Sequence, residues 1–145
     1  MMTRRTVLMA AALLIGGATA CSDLTGANAR ADGVYYLQTI SNTSLPASYT
    51  DSNTGRVFTA MSDQLAVNSN GTYNDQQVYR DGSFQGTYTE SGNWSQSSNV
   101  VTFTPTYSSA NYYNQYSATI GSSGAFSGAR SLSVNLGGSI WYYSE

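Results

Sequence analysis

From Gly33 onward apolar and polar positions alternate with a period of two, and no window has the three-to-four-residue spacing of an amphipathic helix. The clearest runs are Gln115 to Ile120, with Tyr116, Ala118 and Ile120 on one face, and Arg130 to Leu136, with Leu132, Val134 and Leu136 alternating with polar neighbours. Val101 and Phe103 alternate with Thr102 and Thr104. Val57, Thr59, Met61, Leu65 and Val67 mark a further run that Asp63 interrupts, so a bulge or bend is expected at that residue. Turn residues separate the runs at Asn68 to Gly71, Asp81-Gly82-Ser83, Gln96 to Asn99, Gly121 to Gly124 and Gly137-Gly138. The pattern predicts an all-β domain of about eight antiparallel strands, each joined to the next by a tight turn. Local connections favour a closed up-and-down barrel, with a two-sheet sandwich as the alternative. Closure would pair Gly33 to Ile40 with Ser139 to Tyr143 and remove exposed edge strands.

The first residues follow a different pattern. Arg4 and Arg5 precede the apolar run Val7 to Ile15 and the small residues Gly16 to Ala20, which is the layout of a secretory signal. The run is too short to span a hydrocarbon core of about 30 Å, so residues 1–20 are expected to be cleaved. Ala18-Thr19-Ala20-Cys21 resembles the lipobox of bacterial lipoproteins, with Ala18 where Leu is most frequent. The resemblance implies acylation of Cys21, cleavage before it, and anchorage by acyl chains rather than by protein. Ser22, where an inner-membrane retention signal often has Asp, favours the outer membrane, facing the periplasm. Thr3-Arg4-Arg5 also looks like a twin-arginine export signal. Residues 21–32, small and polar after the Cys, read as a tether reaching roughly 18 Å, and residues 33–145 as the barrel domain.

Composition narrows the chemistry. The chain has 145 residues with 10% charged, no His, no Lys and a single Cys. Those absences remove His-dependent triads, Cys or His metal sites, Schiff-base chemistry and internal disulfides. Past residue 20, four arginines face eight carboxylates, a net charge near −4 with no basic cluster, which argues against nucleic acid. Acid–base work would fall to Asp75, Asp81 and Glu90. Glu90 would share a face with Tyr88 and Trp94 if Gly86 to Trp94 were one unbroken strand; a bulge or turn at Ser91-Gly92 would instead leave it solvated, the favoured reading. Asp51-Ser52-Asn53 has some oxygen ligands but not the spacing of a calcium loop.

Gly33-Val34-Tyr35-Tyr36-Leu37, the Leu45-Pro46-Ala47 loop, Asn70-Gly71-Thr72-Tyr73, Gly86 to Trp94 and Val100 to Pro105 together resemble the small lipocalin-like lipoproteins of bacterial envelopes, over about residues 33–143. That resemblance implies an up-and-down barrel. True lipocalins have Gly-x-Trp on the first strand, where this chain has Gly33-Val34-Tyr35.

The expected function is a non-catalytic envelope module, without cofactor or metal, that binds a small apolar or amphipathic ligand within the barrel. Access would be from the end bearing Leu45-Pro46-Ala47 and Ser108 to Asn114. Tyr and Trp, with a flat apolar face and a polar tip, suit such a site, and Tyr88, Trp94, Tyr112 and Tyr113 are its candidate residues. The alternatives are a structural or interaction lipoprotein whose barrel is filled by its own side chains, and a carboxylate-dependent hydrolase built on Glu90 with Asp75 or Asp81.

Overall fold

A computed structural model describes residues 29–122 and 129–145. Ten strands follow in order: β1 (Gly33–Ile40), β2 (Thr43–Ser44), β3 (Ala47–Thr50), β4 (Val57–Val67), β5 (Thr72–Asp81), β6 (Phe84–Ser97), β7 (Val100–Ser108), β8 (Tyr116–Ser122), β9 (Arg130–Leu136) and β10 (Ser139–Ser144). There is no helix among the described residues. β4 through β10 form a meander, and β1 pairs antiparallel with both β10 and β4, so these eight strands close into a barrel. The ring of pairings removes the two-sheet alternative. β2 and β3 lie between β1 and β4 and extend the wall at one end, β2 on β1 and β3 on the start of β4.

Several predicted features hold. Tyr116, Ala118 and Ile120 point inward from β8, and Leu132, Val134 and Leu136 from β9. The Gly137-Gly138 turn has positive φ at both residues, the backbone that a two-residue hairpin with right-handed strand twist requires. Ser41-Asn42 has positive φ at both positions without glycine. Of the turn predicted at Gly121 to Gly124, Gly121 and Ser122 continue β8, and the other two residues lie outside the described residues.

Three extra residues interrupt the ladders and decide what faces inward. Gln38 is unpaired in β1 against β10, Met61 in β4 against β5, and Thr106 in β7 against β6. The expected irregularity at Asp63 therefore falls at Met61. Before it Ala60 is buried and Val57 exposed; after it Asp63, Leu65 and Val67 point inward, so Asp63 continues the interior face instead of breaking it. The bulge near Ser91-Gly92 likewise belongs to the partner strand. β6 runs unbroken, and Glu90 is buried, contrary to the solvated reading.

The barrel is packed at one end only. Tyr73, Phe103 and Tyr116 form an aromatic cluster with ring centroids 4.9–6.4 Å apart, surrounded by Tyr35, Leu65, Val67, Val101, Ile120 and Leu132. Residues 29–32, expected as part of the tether, lie against this lower end. Ala29 and Ala31 are buried, and the Gln96 amide donates to Ala29 O at 2.6 Å and accepts from Ala31 N at 3.0 Å. Tyr35 Oη donates to Ala31 O at 3.0 Å, and Arg130 binds both Arg30 O and the Glu145 carboxylate. The lower end is closed by its own chain.

Candidate functional site

Above the packed half is a cavity of about 420 Å³, within the size range of small-ligand pockets. Its walls are aromatic and its floor is acidic. Strand alternation directs Tyr73, Asp75, Gln77 and Tyr79 of β5 into the barrel, and the ladder sets Asp75 opposite Glu90, Gln77 opposite Tyr88 and Tyr79 opposite Gly86. On the other side of β5, Asp63 is opposite Gln77 and Leu65 opposite Asp75. Gly86 makes room for the Tyr79 ring, because a Cβ there would lie 2.7 Å from it. Asp75 and Glu90 thus share one rung of the interior, and Asp63 is one inward position away on β4.

Tyrosine hydroxyls satisfy part of this charge. Tyr73 Oη donates to Glu90 Oε1 at 2.7 Å, Tyr88 Oη to Glu90 Oε2 at 2.5 Å, and Tyr143 Oη to Asp63 Oδ2 at 3.0 Å. Tyr49 Oη donates to Gln77 Oε1 at 2.8 Å. Asp63 Oδ1, Asp75 Oδ1 and Trp141 Nε1 are shielded from solvent and have no hydrogen-bond partner among the described residues. Burial pushes the Asp63 carboxyl upward, and burial, reinforced by Asp63 and then Glu90, pushes Asp75 well above the usual carboxylate range. Burial raises the phenols of Tyr73, Tyr88, Tyr116 and Tyr143 as well, so they stay protonated and act as donors.

The mouth is formed by three segments. The Thr106 bulge shifts the alternation of β7, turning Tyr107 out and Ser108 in. Ser108 Oγ then donates to Tyr88 Oη at 3.2 Å and accepts from Ala110 N and Tyr112 N at 3.3 Å, which holds the 109–115 loop over the cavity. The Asp51 loop closes on itself: Asp51 Oδ1 accepts from Asn53 N, Thr54 N and Thr54 Oγ1 at 2.7–3.0 Å, so this carboxylate is engaged by its own loop. The third segment is the Gly137 turn. Tyr49 meets Trp141 edge-on at 4.8 Å, and Phe58 meets Tyr79 edge-on at 5.3 Å, building the wall below the mouth.

The four residues expected at the site separate. Tyr88 and Tyr112 line the cavity. Tyr113 is 53% exposed and is not among the lining residues. Trp94 shares the inward face of β6 with Tyr88 and Glu90, but it is four residues beyond Glu90, roughly 13 Å along the strand, and its Nε1 donates to Asn68 O at the closed end. Trp141, the other tryptophan, is the one that lines the cavity. Of the acidic candidates, Asp75 and Glu90 come together, whereas Asp81 pairs with Arg56. Sequence reasoning missed Asp63, although it has the same parity as Leu65 and Val67. Among the described residues no three acidic side chains are grouped to hold a metal ion.

A family model described as the NlpE N-terminal domain matches residues 59–125, less than half of the chain, starting inside β4 and running past the end of β8. That family is one of bacterial envelope lipoproteins with a barrel-like domain. No curated protein and no solved structure matches the chain.

Proposed function

We propose that this chain is a bacterial envelope lipoprotein, anchored through acyl chains on Cys21 at the periplasmic face of the outer membrane, whose barrel holds one small amphipathic ligand without catalysing a reaction. The observation that carries this reading is the half-filled interior: packed and closed below, open above into a 420 Å³ cavity with an aromatic wall. A barrel filled throughout by its own side chains accounts for the lower half alone. The unpartnered oxygens of Asp63 and Asp75 on the floor point the polar part of the ligand downward, because such groups cost about 1–3 kcal/mol each when unsatisfied. The likeness over residues 59–125 to an envelope lipoprotein family supports the address.

The two tryptophans give a direct test, since Trp141 lines the cavity and Trp94 is at the closed end. In a Trp94→Phe protein, adding an extract of envelope lipids and metabolites should shift the Trp141 emission saturably. In a Trp141→Phe protein the Trp94 emission should stay constant. An unchanged Trp141 spectrum contradicts the reading.

A further inference from the structure

We infer that the ligand carries a primary or secondary ammonium group, seated between Asp63 and Asp75 on the cavity floor. This rests on the ligand-binding reading above and names the class of ligand that the same site takes.

Charge balance is the first argument. Among the described residues the cavity is lined by the carboxyl groups of Asp51, Asp63, Asp75 and Glu90 and by no basic side chain. Among the described residues none is at hand: the chain contains no Lys and no His, Arg30 and Arg130 bind at the closed end, Arg56 pairs with Asp81, and Arg80 is exposed. In the empty cavity a proton held between Asp63 and Asp75 relieves part of this charge, and a ligand cation would take that proton's place.

The second argument is the set of open hydrogen-bond positions. Asp51 is engaged by its loop, and Glu90 accepts from two phenols. Asp63 and Asp75 bond each other, which requires a proton held between them, and each keeps an oxygen without a partner outside that pair. These two acceptors belong to different strands, β4 and β5, and are displaced by one step of the ladder, since Asp63 is opposite Gln77 and Asp75 opposite Leu65. An ammonium group with two or three N–H donors can serve both at once, displacing the proton they share to solvent. A metal ion needs convergent ligands, and no such group of three exists among the described residues.

The surroundings fit an organic cation. Tyr88, Tyr116, Tyr143 and Trp141 line the same space, and aromatic faces attract ammonium groups once both are out of water. Trp141 Nε1 is a buried donor without a partner, and Trp141 precedes Tyr143, the Asp63 partner, by two positions toward the mouth of β10. It calls for an acceptor, so the ligand carries a hydroxyl or carbonyl oxygen on the mouth side of its ammonium group.

Isothermal titration of the purified full chain at neutral pH tests this, with 2-phenylethylamine, 2-phenylethanol and 3-phenylpropionate as probes. The amine should bind at least tenfold more tightly than the alcohol, and the acid should not bind. Asp63→Asn and Asp75→Asn, each shown to be folded by circular dichroism, should lose at least tenfold in amine affinity while leaving the alcohol unaffected. Equal affinity for amine and alcohol, indifference of both variants, or saturable calcium binding at the same aspartates overturns the inference. If no probe binds and the envelope extract still yields a neutral or acidic adduct, the ammonium assignment fails and the carrier reading stands. If the extract yields none, both fail.

Discussion

Asp75 on β5 stands directly across the ladder from Glu90 on β6, two carboxyl side chains facing each other inside a barrel whose cavity is lined by no basic side chain among the described residues. Like charges directly opposite in a sheet repel, and burial sharpens the repulsion. The pair lies on the floor of the cavity, where its repulsion costs the fold stability.

Stability should therefore fall as pH rises. A carboxyl whose pKa is raised in the folded state holds its proton more tightly there, so its contribution is complete below the ordinary carboxylate range and is lost as pH climbs toward the folded value. Asp63 and Asp75 are both raised, chiefly by burial. Urea unfolding from mild acid to neutrality should show decreasing stability. Asp75→Asn should flatten that slope and gain on the order of 1 kcal/mol at neutral pH. A slope unaffected by the substitution would contradict the assignment.

Gly92 allows β6 and β7 to approach where the Thr106 bulge bends the wall. A Cβ at Gly92 would lie 2.2 Å from Thr104 O and 2.9 Å from Pro105 Cα, both backbone atoms that cannot rotate aside. Gly92→Ala should cost about 1–3 kcal/mol in unfolding experiments. Gly121→Ala, where the nearest contact is the Ser131 hydroxyl at 3.4 Å, should be close to neutral.

The origins of these features differ in how openly the sequence displays them. β8 and β9 were legible because Leu132, Val134 and their neighbours alternate cleanly, and Gly137-Gly138 announces its turn chemically. Barrel closure followed from the short connections. The bulges at Gln38, Met61 and Thr106 have no local signature, because an extra residue in a strand is set by the partner strand's register. The polar floor was hidden for that reason: Ser108 faces inward only after the Thr106 shift, and Met61 separates Asp63 from the outward-facing Val57 and Thr59. Depth along a strand was hidden too. Trp94 and Tyr88 share a face, yet one closes the bottom and the other lines the cavity, a distinction that periodicity does not carry.

Gln96 joins the segment before β1 to the barrel, its amide bonding Ala29 O and Ala31 N. Gln96→Ala removes both of these hydrogen bonds and a third to Ser98 O, about 1–3 kcal/mol of local stability, and should free residues 29–32. Limited proteolysis should then cut near Arg30 at least several times faster than in the parent protein, with the barrel left intact.

The proposed anchorage would depend on a single atom, the Cys21 sulfur. Cells expressing the protein should incorporate labelled palmitate into it and retain it in the membrane fraction. Cys21→Ser should abolish the label and release the protein. Label retained without Cys21 would contradict lipidation at that residue.

The most direct test of the account is native mass spectrometry of the purified chain after incubation with an extract of envelope lipids and metabolites. A reproducible mass increment is expected in the parent and in Trp94→Phe, whose change is at the closed end, and it should be lost in Tyr112→Ala, which opens the cavity mouth. No increment on the folded parent, or an increment that survives Tyr112→Ala unchanged, would contradict a ligand held in the upper half of the barrel.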